Sequence, residues 1–291
     1  MVAEFLQFVF SGVTVGAIYA LVGLGFAIIY NASQVINFAQ GEFVMIGGLT
    51  TAVLTAQGVP LPASAAVAVA AAILAGLALE KLAVEQARGA SVVTLIIITI
   101  GASIFLRGLA QVVFGRNYHP LRAFSGDQPI NIAGATIVPQ TLWVLGSTLV
   151  IVLALWWFFG RTLMGKAVLA TSYNRLAAQL VGIDTRATLL LSFGLSAALG
   201  ALGGILITPI SLTSYDSGVM LGLKGFAAAI LGGMGSSFGA VLGGLLLGVI
   251  EALGAGYVSS AYKDAIAFIL LLLVLVLRPQ GLLGRGGIER V

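Results

Sequence analysis

The chain has 291 residues, 59% of them hydrophobic and 8% charged, with a net charge of +4 and a mean hydropathy of +1.11. No water-soluble domain of this length has such a composition, and the small positive excess does not point to nucleic acid, because the basic residues fall in short loops between apolar runs. The lack of cysteine excludes disulfide frameworks, thiolate metal sites and cysteine nucleophiles.

In chain order, membrane spans are predicted near 5–29, 36–56, 61–84, 91–114, 140–159, 187–210, 237–257 and 261–278, with a shorter apolar piece at 222–234 read as a half-helix or re-entrant segment. The N-terminal residues lack the basic stretch of a cleaved signal peptide, so the first span is expected to stay. The whole chain, 1–291, reads as one polytopic, all-α membrane domain of about eight spans.

Lys81 and Arg88 lie in one loop, Arg161, Lys166, Arg175 and Arg186 in a second, and Arg278, Arg285 and Arg290 in the tail. An excess of lysine and arginine marks the cytoplasmic side. The segment 115–139 and the N-terminus are then expected outside. Small residues recur at four-residue spacing in Gly12-Gly16-Ala20, Ser196-Gly200-Gly204 and Gly235-Gly239-Gly243. That spacing lets helix backbones approach closely in lipid, and most of these positions read as packing within one subunit.

Two regions break the simple pattern. Asn31–Gly48 and Gly222–Gly239 put glycines and polar side chains at membrane depth, one in each half of the chain. Irregular backbone survives there only where protein buries it or water reaches it, and paired breaks point to an internal repeat around a transport pathway. The expected pathway residues are Asn37, Gln40, Gly41 and Glu42 in the first half and Gly232, Gly233 and Gly235 in the second. Glu42, Glu251 and Arg107 are the intramembrane charges, and so functional candidates. Arg107 could instead snorkel outward, and Glu251 could lie at an interface.

The segment 160–186 is a polar island. Leu169, Leu176, Leu180 and Ile183 recur at helical spacing, with Lys166, Asn174 and Arg175 elsewhere on the wheel, which predicts a short amphipathic helix between two spans. It either lies flat on the membrane or docks to a partner.

Enzymatic readings fail on chemistry. Gly160–Lys166 approximates a phosphate-binding loop, but Ala167 stands where magnesium coordination needs Ser or Thr, and a membrane helix rather than a strand precedes it. The single histidine, His119, sits beside Pro120 with no carboxylate at a suggestive spacing, so Ser-His catalysis is not expected. No catalytic residues and no metal site are predicted.

Three stretches, VINFAQGEFVMIGG, GKAVLATSYNRLAAQLVGID and KGFAAAILGGMGSSFGAVLGGLLLGVIE, together resemble the LivH-type permeases, membrane subunits of branched-chain amino acid ABC importers. The resemblance covers nearly the whole chain, and Phe38–Glu42 favours this type over the LivM-type. It implies a two-repeat permease of the bacterial inner membrane. It also implies a second, LivM-type permease, two cytoplasmic ATPase subunits and a periplasmic substrate-binding protein. ATP and magnesium would be used by the ATPases, with no cofactor bound by this chain. The Ala167–Gly182 helix would be the ATPase-coupling element. Ala170, Ala178 and Gly182 match the motif, with Asn174, Arg175 and Leu180 beside them. Leu169 stands where many relatives carry arginine, so the docking surface is less charged than usual. An ion-coupled secondary transporter or channel acting alone is the alternative.

Overall fold

The computed structural model describes residues 2–284 apart from 88, 127 and 133. Arg88, Arg285 and Arg290, expected in cytoplasmic segments, lie outside the described residues. Helix α1 (Val2–Ser33) is followed by α2 (Gln40–Ala56), α3 (Leu61–Leu79), which continues through a π-helical turn at Glu80–Val84, and α4 (Val92–Phe114). A hairpin of β1 (Ile130–Ile132) and β2 (Ala135–Ile137) precedes α5 (Pro139–Arg161). Two short helices, α6 (Leu163–Tyr173) and α7 (Arg175–Leu180), lead into α8 (Thr185–Ser211), α9 (Ser217–Gly232), α10 (Ser237–Tyr257) and α11 (Lys263–Leu277).

Among the described residues, seven helical segments are long and apolar enough to cross a membrane. The expected second span, 36–56, is instead the 17-residue α2, which starts at Gln40. Helix α2 is about 26 Å long at 1.5 Å per residue, short of a roughly 30 Å hydrocarbon core. The expected half-helix at 222–234 is α9, which begins earlier, at Ser217. The hairpin was not foreseen; it pairs Ile130 with Ile137.

Helices α1 and α8 form the centre, each largely buried within the bundle, while α4, α5 and α11 turn most of their apolar surface outward. The core helices approach through small residues. An added Cβ at Gly12 would lie 2.7 Å from Val249 Cα, and one at Gly16 2.9 Å from Leu245 Cα, so α1 and α10 pack backbone to backbone. On α8, Gly204 does the same against the backbone of Val44 in α2, and Gly200 lies against the Phe43 side chain, the intramolecular packing expected of them.

The two ends of the bundle are distinct. At one end Gln7 exchanges hydrogen bonds with the backbone of Thr136 (2.8 and 2.7 Å), and His119 pairs with Thr213. At the other end Asn31 donates to the carbonyl of Gly235 (2.9 Å), and Ser33, Val84, Arg175 and Asp184 surround one cavity. Helix α1 therefore runs from the first end to the second, and α8 runs back.

This direction exposes an inverted repeat. Each half has a long central helix, then a non-glycine residue with left-handed backbone (Gln34 and Leu212, both φ 57°), then an extended segment, then a short helix. These are the two such residues among those described. The extended segments 35–39 and 212–216 turn back into the bundle from opposite ends. Their backbone donors are met locally: Ser33 Oγ accepts from the amide of Val35 (3.1 Å), Asn37 Oδ1 from Ala39 (3.1 Å), and Ser217 Oγ from Ser214 (2.8 Å). Short polar side chains thus satisfy a chain that has left the helix.

Candidate functional site: the junction of two half-helices

Helices α2 and α9 meet at their N-terminal ends in the interior. A Cβ at Gly218 would collide with the carbonyl of Gly41 and come within 3.2 Å of the Glu42 amide, and a Cβ at Gly41 would collide with Gly218 in return. Only bare backbone permits that crossing. Gly222 lies one turn further along, where an added Cβ would sit 2.9 Å from Gly41 Cα.

Beside the crossing is a cavity of about 140 Å³, lined by Gly41, Glu42, Gly218 and Gly222 together with Phe26, Phe38, Ile100 and Ser103. It is smaller than the roughly 300–1,000 Å³ of a drug-sized pocket, a scale that suits a single small solute. Phe38 and Phe26 both pack on Phe226, with ring centroids 5.4 and 5.6 Å apart, which fixes the aromatic wall.

Each expected residue of the first region has a defined place. Gln40 is fully buried and pins the start of α2: its Nε2 donates to the carbonyl of Ser196 (3.0 Å), and the Ser196 hydroxyl lies 2.5 Å from Gln40 Oε1 and 2.9 Å from the carbonyl of Gly25. Asn37 is buried and closes the turn before α2, with its Nδ2 unpartnered. Glu42 is 1% exposed. Its Oε1 accepts from Ser103 Oγ at 2.7 Å and lies 4.0 Å from Arg107 Nε, while Oε2 is buried without a hydrogen-bond partner. Arg107 thus turns in toward Glu42.

The second set lies elsewhere. Gly232, Gly233 and Gly235 form the turn between α9 and α10, and Gly232 is roughly 21 Å from Gly218 along the helix axis. Gly233 (φ +105°) and Gly235 (φ +90°) need left-handed backbone, and Leu282 and Leu283 donate to the carbonyls of Leu231 and Gly232 (2.8 and 2.9 Å). The turn therefore closes one end of the bundle. The residues that join Glu42 from the second half are Gly218 and Gly222. The SYDSG run before α9 was the available signal, hidden because a polar stretch after a span reads as an ordinary loop.

A second intramembrane cluster was also missed. Lys224 on α9 is 2.9 Å from Glu251 and 2.6 Å from Asp264, Lys263 is 3.2 Å from Glu251, and the Tyr19 hydroxyl is 3.1 Å from both Glu251 oxygens. Glu251 is buried within the bundle. Among the described residues no group of three or more His, Cys, Asp or Glu side chains could hold a metal ion.

The polar island is two helices, not the expected one. Asn174 leaves helical geometry (φ −157°, ψ 105°), which ends α6, and its Oδ1 caps α7 by accepting from the amide of Ala177 at 3.0 Å. Ala170 is half-buried on α6 and Ala178 is buried on α7, whereas Asn174, Arg175 and Leu180 (88% exposed) face outward. Gly182 ends α7 with φ +85°. Tyr173, Leu176, Leu180 and Val181 make an exposed apolar face around the break.

A bundle of membrane-crossing helices interrupted at mid-depth by two inverted half-helices defines a membrane transport protein. Residues 8–275 match the family described as "Branched-chain amino acid transport system / permease component", and the chain belongs to that family. It is 35% identical over 303 residues to the high-affinity branched-chain amino acid permease LivH of Escherichia coli K12, covering 99% of this chain and 98% of the relative. It is 34% identical over 304 residues to BraD of Pseudomonas aeruginosa, with the same coverage. The ribose import permease RbsC of E. coli K12 is a more distant relative, 26% identical and covering 89% of each chain. Among solved structures, PsaBC from Streptococcus pneumoniae in complex with a Fab shares the fold at a TM-score of 0.53 and 16% identity, over 96% of this chain and 97% of that one. The chain is a multi-pass permease subunit of an ABC importer, a transport component rather than an enzyme. The alternative of an ion-coupled transporter acting alone finds no support in these relatives.

Proposed function

We propose that this permease moves a branched-chain or related small amino acid inward across the bacterial inner membrane. The observation that carries the reading is the junction itself: two half-helices entering from opposite ends and crossing at glycines beside a small buried cavity. The names of its relatives supply the substrate class.

Ile100, at the cavity wall, is 41% exposed. A second permease of the LivM type closes the pathway on that side. The end of the bundle that carries α6 and α7 faces the cytoplasm, as its arginines and lysines require. There the exposed apolar residues of α7 seat against one of two ATPase subunits, and Asn174, Arg175, Ala178 and Gly182 fix the angle of that contact. A periplasmic binding protein delivers solute to the end that carries the β-hairpin. ATP and magnesium are used by the ATPases, and this chain binds no cofactor.

The test is reconstitution. This chain, its second permease, the ATPases and the binding protein are placed in proteoliposomes, and uptake of radiolabelled leucine is measured with and without internal ATP. Uptake that requires both ATP and the binding protein is expected. ATP-independent uptake, or uptake of ribose but of no amino acid, would overturn the reading.

A further inference from the structure

The junction cavity carries more chemistry than a passage needs. Glu42 uses its carboxylate on one side only: Oε1 is engaged by Ser103 and faces Arg107, and Oε2 is buried with no hydrogen-bond partner. A carboxylate at this depth is costly unless each oxygen is paired. Holding the helix break in shape does not explain it. Three backbone donors of the re-entrant segment are met without it, the amide of Phe38 by Thr99 Oγ1 (3.2 Å), that of Ala39 by Asn37 Oδ1 (3.1 Å) and that of Gln40 by the carbonyl of Asn37 (3.2 Å). What Oε2 lacks is a cationic donor.

The remaining walls are specific too. Phe26, Phe38, Ile100 and Leu223 present apolar surface. Gly41 and Gly218 present bare backbone at the first turns of two helices, where the peptide dipoles favour an anion, and Gly222 does so one turn further along α9. Asp216, which precedes α9, is held by the Ser214 hydroxyl (2.5 Å) and does not line the cavity.

We infer that this cavity is a transit site for a zwitterionic aliphatic amino acid: Glu42 Oε2 accepts the ammonium group, the glycine-lined start of α9 faces the carboxylate, and the aromatic and aliphatic wall takes the side chain. Arg107 and Ser103 are positioning residues that hold the other oxygen of Glu42 and aim the carboxylate. The inference rests on the import function proposed above and adds to it the group that reads the amine.

Two measurements test it. In the reconstituted complex, Glu42→Gln keeps the shape and the Ser103 hydrogen bond but loses the charge. Leucine uptake is expected to fall about tenfold or more, the size of a lost charge-assisted hydrogen bond, while complex yield and ATPase stimulation by the loaded binding protein stay at wild-type levels. Unchanged uptake overturns the site.

The second measurement does not depend on that variant folding. The chain has no native cysteine, so Ile100→Cys, at the cavity wall, is the single label site of this chain, and its labelling is read on this subunit in the complex without binding protein. L-leucine is expected to slow maleimide labelling, whereas 4-methylpentanoate, the same skeleton without the amine, is expected to leave it unchanged. Equal protection by both compounds, or by neither, overturns the inference. If the wild-type complex imports no leucine at all, it is the proposed function that fails.

Discussion

Gly41 and Gly218 meet through a contact that leaves no room for one carbon atom. A methyl group on Gly218 would strike the carbonyl of Gly41 and press on the amide of Glu42. Helix α2 is held in place at the crossing, because Gln40, next to Gly41, is bonded to Ser196, whose hydroxyl also reaches the carbonyl of Gly25. Gly218→Ala is therefore expected to lower stability by about 1–3 kcal/mol, the cost of overpacking a tight core, and to reduce uptake, read as a fall in the melting temperature of the purified complex and in transport. Gly101 on α4 is the control: an added Cβ there meets nothing within 4 Å. Gly101→Ala should be neutral, or stabilise by up to about 1 kcal/mol through helix propensity. Equal destabilisation by both would show that the crossing is not as tight as described.

Each half-helix is also tied to its neighbours by charge. On the first side Glu42 of α2 faces Ser103 and Arg107 of α4. On the second, Lys224 of α9 bridges Glu251 of α10 and Asp264 of α11. Lys224 reaches these partners because side chains on a helix lean toward its N-terminus. Removing Lys224 takes the nearest cation from buried Glu251 and leaves it Lys263 and the Tyr19 hydroxyl, at a cost below the about 3–5 kcal/mol of a fully stranded partner. Lys224→Met should accordingly lower the melting temperature and the yield of the complex. The double variant Lys224→Met with Glu251→Gln should recover part of the loss, because the buried carboxylate that has lost its nearest cation is gone while Lys263 and Asp264 remain. A double variant no better than the single one would show that the charge of Lys224 matters by another route. In the polar segment between α5 and α8, the break at Asn174 leaves two short helices around exposed Tyr173 and Leu176, in place of one continuous rod.

Across the whole molecule, the inverted repeat sets the sidedness. Helices α1 and α8 run in opposite directions, and the hairpin and the coupling segment mark opposite ends. Single-cysteine variants of the cysteine-free chain read this directly. Ser172→Cys on α6 should be labelled by an impermeant maleimide only in inverted vesicles, and Tyr118→Cys, near the hairpin end, only in intact spheroplasts. Labelling of both from one side would contradict the architecture, and exchange of the two would reverse the orientation.

What the sequence by itself determined is one-dimensional. Apolar runs of spanning length, arginines and lysines concentrated in short loops, polar breaks in each half and three family motifs were enough to read a multi-pass permease. The left-handed turn at Gly182 was legible as well, because glycine after a short helix is a local signal. Pairing was not legible. In a chain apolar on every side, a helix buried in the bundle and a helix facing lipid look alike, since both lack the polar stripe that tells inside from outside in a soluble protein. For that reason the neighbours of Gly41 and Glu42 were sought in the glycine turn at 232–235, and the contact with Gly218 and Gly222 went unseen. The inward turn of Arg107, the ion pair between Lys224 and Glu251 and the division of the coupling segment at Asn174 were likewise decided by tertiary structure. Each depends on which helix faces which at a given depth, and that follows from backbone packing at glycines far apart in the chain.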